Sequence, residues 1–310
     1  MSTQPLSPKT VALDGPFEHV LLHTRGIRLH AAVAGDPKDP LVLLIHGTFG
    51  AWLDYRRIIA PLAERGFHVA AVDMRGYGMS DKPPARAGDP TLIAVGDIDG
   101  VISALDHDRA HIVGHDTGGA LAWVFASTYP DRVASMVAVS AAHPTDLRRH
   151  LRTRPWELVF MLARVAVGRL PIWLHQLCTP LIPRVWRREL ALNTAPGFAG
   201  TPEFEEALSL RIRAARVDNA LRGIVRNTRL LTASPRKNAS PIEAPALLIH
   251  PAQTVWTRIS AASSRRLTSP LDVATIPGTK NAPHIEDPEL FVEQLVKFLP
   301  APGRTEPGPA

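Results

Sequence analysis

Three stretches of the 310-residue sequence hold side chains able to do chemistry together. They are Gly114-His115-Asp116-Thr117-Gly118-Gly119, Pro283-His284-Ile285-Glu286-Asp287-Pro288 and His46-Gly47-Thr48-Phe49-Gly50. A carboxylate with an ordinary pKa of ~3.9 is ionised at neutral pH, so Asp116 needs no base before it attacks. Attack on an sp³ carbon bearing a leaving group makes an alkyl ester of the enzyme. Water must then cleave that ester at its carbonyl, which calls for a general base, and His284 suits the task. Taken alone, Asp116 is also an ordinary cap before a helix, and His284 is one of 13 histidines.

Positioning these groups requires a strand, a sharp turn and a helix. The apolar run at 110–113 leads into Gly114, and a helical pattern starts at Thr117, so small residues flank Asp116 where strand and helix must approach. The N–H groups at the start of that helix would face developing negative charge. Upstream, strands are expected at 41–45 and 68–72, with helices at 51–65 and 91–105; a further strand follows at 133–139. Strands at 245–249 and 271–276 and a closing helix at 288–299 complete an alternation that implies a mostly parallel sheet flanked by helices. Between the two halves, 145–240 shows helical spacing only, cut by Pro171, Pro180 and Pro183. The division expected is a tail at 1–16, a core at 17–144, a helical cap at 145–240, a second core segment at 241–299 and a tail at 300–310.

Composition narrows the class. With 45% hydrophobic and 21% charged residues the chain can bury a large core, and one cysteine, Cys178, excludes an internal disulfide. No apolar run is long enough to cross a bilayer, and the N-terminus lacks the apolar region of a signal peptide, so a cytoplasmic protein is expected. The net charge of +6 is uneven: 145–240 holds 17 Lys and Arg against 7 Asp and Glu. Such a segment attracts anionic substrates, an acidic carrier or an anionic membrane surface, or is simply a solvated face. Nothing in it matches a nucleic-acid-binding motif. The apolar stretch 156–182 reads as core and substrate-pocket packing, with a membrane interface as the alternative.

The combination of motifs resembles the epoxide hydrolase and haloalkane dehalogenase branch of the α/β-hydrolase family over 18–299. Gly114–Gly119 resembles its nucleophile elbow, His46–Gly50 its oxyanion loop, and Asp73-Met74-Arg75-Gly76-Tyr77-Gly78-Met79-Ser80-Asp81-Lys82-Pro83 a segment that follows the next strand. The resemblance implies the α/β-hydrolase fold with an inserted α-helical cap, Asp116 as nucleophile, His284 as base, and an oxyanion hole from Thr48, Phe49 and Thr117. It implies no cofactor and no metal.

The pattern is incomplete. The position of the third triad member holds Thr254, leaving Asp146, Asp272 and Glu286 as candidates without a motif. The cap tyrosines that the branch uses to donate to an epoxide oxygen are missing, with Val225 in the place of one and Phe160 in that of the other. Trp156, Phe160, Val225 and Arg226 are therefore expected to line the cap side of the pocket, with Arg226 and Asn227 as substitute donors. The expected function is an epoxide-hydrolase-like hydrolysis of an apolar, and in one reading anionic or carrier-bound, small molecule. Two other readings stand beside it: a non-hydrolytic lyase, cyclisation or coupling enzyme of specialised metabolism, and a catalytically silent ligand-binding protein.

Overall fold

Strands buried on both faces have no need to alternate, and Leu41–Ile45, His68–Val72 and Ala246–Ile249 are buried from end to end, with His68 their one polar residue. The computed structural model describes residues 5–84, 88–233 and 241–300. Its eight strands are β1 (Glu18–Thr24), β2 (Ile27–Ala34), β3 (Leu41–Ile45), β4 (His68–Val72), β5 (Ala110–His115), β6 (Val133–Val139), β7 (Ala246–Ile249) and β8 (Leu271–Ala274). They form one sheet in the order β1-β2-β4-β3-β5-β6-β7-β8, antiparallel at β1-β2 and β2-β4 and parallel elsewhere.

Helices α1 (Ile59–Ala63), α2 (Pro90–Ala104) and α3 (Thr117–Thr128) follow the first parallel strands. Leu43, Ile45, Ile112 and Met136 pack with Val101 and Trp123 on one face, while Val42, Leu44, Val113 and Val137 pack with Leu62 on the other. Between β6 and β7 come α4 (Pro144–Thr153), α5 (Val159–Val167), α6 (Ile172–Leu177), α7 (Ile182–Asn193), α8 (Pro202–Ala215) and α9 (Ala220–Thr228). After β7 come α10 (Thr254–Ser263), α11 (Pro283–Glu286) and α12 (Pro288–Phe298). The helical insert is tied down by polar contacts: Arg211 on α8 grips Asp54 with two bonds of 2.9 Å, and the Trp186 indole donates to the Phe49 carbonyl at 3.2 Å.

Three expectations change. The helix expected at 51–65 divides into a 3₁₀ turn, Trp52–Tyr55, and α1, because Pro61 has no N–H with which to continue a helix from residue 57. The tail expected at 1–16 is anchored over its described part: Leu6 exchanges hydrogen bonds with Arg216 and Asp218, and Val11 is buried and accepts from the Trp52 indole. The tail at 300–310 lies outside the described residues from 301 onward. Trp156 and Phe160, expected in the pocket, are 67% and 63% exposed.

Candidate active site

The turn between β5 and α3 holds Asp116 at φ 52° and ψ −112°, a conformation that costs a non-glycine residue energy and aims its side chain off the end of the sheet. Close packing fixes it there. A Cβ on Gly118 would stand 2.8 Å from the His46 carbonyl oxygen, and one on Gly47 would stand 2.9 Å from Cβ of Asp116, so both positions require glycine.

The Thr48 N–H donates to Asp116 Oδ2 at 3.0 Å and the Thr117 hydroxyl donates to the same oxygen at 3.3 Å. The Thr48 and Thr117 hydroxyls are themselves bonded to each other, and Tyr77 holds the Thr48 carbonyl at 3.0 Å. The loop that supplies these donors rests on the Asp73–Pro83 segment: Asp73 accepts from the Trp52 and Met79 N–H groups and from His30. That segment therefore acts as a brace. Phe49 is packed edge-on to Trp186, with ring centroids 4.9 Å apart.

A contact invisible in the sequence dominates the site. Arg164, the single charged residue of α5, forks onto Asp116, Nη1 donating to Oδ1 at 3.0 Å and Nη2 to Oδ2 at 2.6 Å. Its guanidinium lies over the Phe49 ring, 5.0 Å from the centroid. Burial pushes the Asp116 carboxyl up, but the Arg164 charge and hydrogen bonds, with His115 and the Thr48 N–H, outweigh it and hold Asp116 well below the usual carboxylate range. The nucleophile candidate is thus an anion whose two oxygens are both occupied.

His284, on α11, is fully buried between His115 and Tyr55, at ring-centroid distances of 4.5 and 5.0 Å. Burial, reinforced by His115 and Arg211, lowers its pKa well below the ordinary value, so it is a neutral base at neutral pH. Neither ring nitrogen has a hydrogen-bond partner among the described residues. Thr254 is exposed at the start of α10; Asp146 is paired with Arg266 at 2.6 Å; Asp272 is exposed on β8; and Glu286 accepts the Ala195 and Lys280 N–H groups at 2.6 and 2.9 Å. None of these carboxylates is bonded to His284. Asp54, whose charge reaches His115, is claimed by Arg211, which also bonds Glu189 at 3.3 Å.

Comparison with known proteins agrees with this architecture. The family model described as the α/β hydrolase fold matches residues 40–178. The chain has the α/β-hydrolase fold. Its relatives include an AB hydrolase superfamily protein, YfhM, of Bacillus subtilis, 39% identical over 40% of this chain and 43% of that protein. Epoxide hydrolase B of Mycobacterium tuberculosis is 42% identical over 39% of this chain and 35% of its own length. The chain therefore matches less than half the length of these curated relatives. The crystal structure of epoxide hydrolase A from Mycobacterium thermoresistibile superposes with a TM-score of 0.74 at 25% identity, covering 91% of this chain and 98% of that one.

On this α/β-hydrolase frame the remaining candidates separate. Val225 is buried, whereas Arg226 lines a cavity of about 200 Å³ bounded by Leu43, Val72, Val101 and Leu121, with the Arg75–Asp97 ion pair in its wall. Neither Asp116 nor His284 lines that cavity. Asn227 contacts the Met74 sulfur at 3.9 Å. Phe160 faces away because the inner side of α5 is taken by Met161, Arg164 and Val165, and Trp156, on the 3₁₀ turn Pro155–Leu158 that precedes α5, is exposed as well. Among the described residues no group of three or more His, Cys, Asp or Glu side chains is arranged to hold a metal ion. Arg164 is the residue that sequence reasoning missed; a lone arginine in an apolar run was its only signal.

Proposed function

We propose that this chain is an epoxide-hydrolase-like enzyme that opens an electrophilic sp³ carbon of an apolar small molecule with Asp116 and hydrolyses the resulting ester with His284. A carboxylate oxygen of Asp116 bonds to carbon while the carbon–oxygen bond of the ring breaks and its electrons pass to the ring oxygen. Arg164, which grips both Asp116 oxygens at rest, releases them as the carboxylate attacks and donates to that oxygen instead. With a pKa above about 12 a guanidinium stabilises charge without giving up its proton, which water supplies. Neutral His284 then takes a proton from the water that attacks the ester carbonyl, the N–H groups of Thr48, Phe49 and Thr117 face the oxyanion, and the imidazolium reprotonates the departing alkoxide.

The observation that carries this reading is the strained turn that holds the Asp116 carboxylate on the Thr48 N–H, with His284 buried against the adjoining His115. The test is a single-turnover reaction of excess His284→Gln protein with styrene oxide. The expected result is an intact-mass increase of one substrate, localised to the peptide containing Asp116. Unmodified protein in His284→Gln, alongside turnover by the parent, would refute the two-step scheme. One observation favours a second reading, a non-hydrolytic reaction: among the described residues no carboxylate bonds His284 to support its imidazolium. That reading expects turnover without uptake of solvent oxygen.

A further inference from the structure

Helix α5 has its polarity reversed. Its sequence, Val-Phe-Met-Leu-Ala-Arg-Val-Ala-Val, turns its one charged residue inward to Asp116 and leaves Val159, Phe160, Leu162 and Val167 facing out. Exposed apolar residues recur through α6 and into α7. Trp173 and Leu177 are 59% and 68% exposed, and Leu170, Leu181 and Val185 are also exposed. At ~150–250 Å² per aromatic side chain, Trp156, Phe160 and Trp173 alone present roughly 300–450 Å² of apolar surface. Typical monomers rarely expose more than ~300–600 Å² of apolar surface in any one patch, and seven exposed aliphatic residues add to this total.

Cations stand within this stretch. Residues 152–188 contain seven arginines and one glutamate. Arg164 is turned to Asp116 and Arg187 is paired with Glu205, but Arg152, Arg169, Arg184 and Arg188 are exposed and make no ion pair among the described residues. A second copy of the chain is a poor cover for such a face, because a two-fold interface would bring the same basic patch of both copies together. A surface with hydrocarbon beneath and negative charge above matches both properties at once.

We propose that the outward face of α5, α6 and the start of α7 docks on an anionic lipid surface. Trp156, Phe160, Trp173 and Leu177 enter the boundary between headgroups and acyl chains while Arg152, Arg169, Arg184 and Arg188 meet the headgroup charge. The helix that contacts lipid on its outside carries Arg164 on its inside, so the docked face lies directly over the candidate active site.

The experiment is flotation of the full chain with vesicles of phosphatidylcholine alone and of phosphatidylcholine mixed with phosphatidylglycerol. The expected result is flotation with the mixed vesicles, weakened on the order of tenfold or more by Arg169→Gln with Arg184→Gln. Salt should weaken it too, and the triple replacement of Trp156, Phe160 and Trp173 by serine should abolish it. These positions are exposed, so the variants should keep the parent's circular dichroism and urea midpoint. The proposal does not depend on the proposed catalysis, because Asp116→Asn protein should float as the parent does. It is overturned if the parent stays with the protein-only fraction, or if the serine variant floats undiminished. It is also overturned if the parent does not float and sediments as a dimer that the serine variant converts to monomer.

Discussion

Replacing Arg164 with glutamine removes the cation from a pair whose side chains are mostly buried and whose oxygens and nitrogens lie 2.6 and 3.0 Å apart. At an effective dielectric constant of about 20, two unit charges about 4 Å apart attract by roughly 4 kcal/mol, and stripping one partner from a buried pair costs about 3–5 kcal/mol. Asp116 would keep the Thr48 N–H and the Thr117 hydroxyl, which places the loss at the lower end, about 3 kcal/mol. Asp116→Asn should cost less, about 2 kcal/mol, because Arg164 retains the Phe49 ring. The double variant should be more stable than the sum of the two losses predicts, by about 2 kcal/mol or more. Urea unfolding of the four proteins at pH 7 measures this coupling. The sign of its pH dependence is fixed as well. Without Arg164, burial leaves Asp116 with a raised folded pKa, so the variant is destabilised above that pKa and recovers as pH falls through it. The gap between parent and Arg164→Gln should therefore be larger at pH 7 than at pH 5. A coupling below about 0.5 kcal/mol, or a gap that does not change with pH, would refute the assignment of Arg164 as the counter-ion of Asp116.

Three further outcomes follow from the geometry. Burial pushes His115 down to about 4 against the opposing charge of Asp116, and burial and Arg266 push His143 to about 4, so the unfolded chain binds more protons between ~6.5 and ~4. Stability should fall as pH drops through that window, by up to roughly 3 kcal/mol from His115 alone, and a flat urea midpoint from pH 6.5 to 4.5 would contradict it. Arg211→Met leaves Asp54 and Glu189 without their shared cation and should lower stability by about 3–5 kcal/mol in chemical denaturation; a loss below 1 kcal/mol would show that the triad adds little. Gly118→Ala drives a Cβ into the backbone at Ile45 and His46 and should destabilise by about 3 kcal/mol or yield insoluble protein, whereas parent-like melting would mean the elbow is looser than described.

The parallel strands were legible because burial on both faces makes them nearly continuous apolar runs, and the elbow because Gly114 serves close backbone contacts with Gly118 and Gly119, a few residues on in sequence. The antiparallel edge was not read: Glu18–Thr24 and Ile27–Ala34 carry three histidines and one arginine among their apolar residues, and their pairing is set by a tight Arg25–Gly26 turn rather than by an apolar run. The role of Arg164 is not legible in the sequence because its partner lies 48 residues away and is reached only when α5 packs over the elbow. The exposure of Phe160 is hidden for the same reason. Large apolar residues ordinarily face a core, and the reversal is visible only when the inner side of α5 is seen to be occupied by Arg164 and Val165.

The central claim, an ester formed on Asp116, is tested most directly by multiple turnovers of styrene oxide in H₂¹⁸O, followed by mass spectrometry of the peptide containing Asp116. Attack of water at the ester carbonyl leaves solvent oxygen in the carboxylate, so the account predicts ¹⁸O in that peptide and none in Asp116→Asn. Diol formation with an unlabelled Asp116 would contradict it.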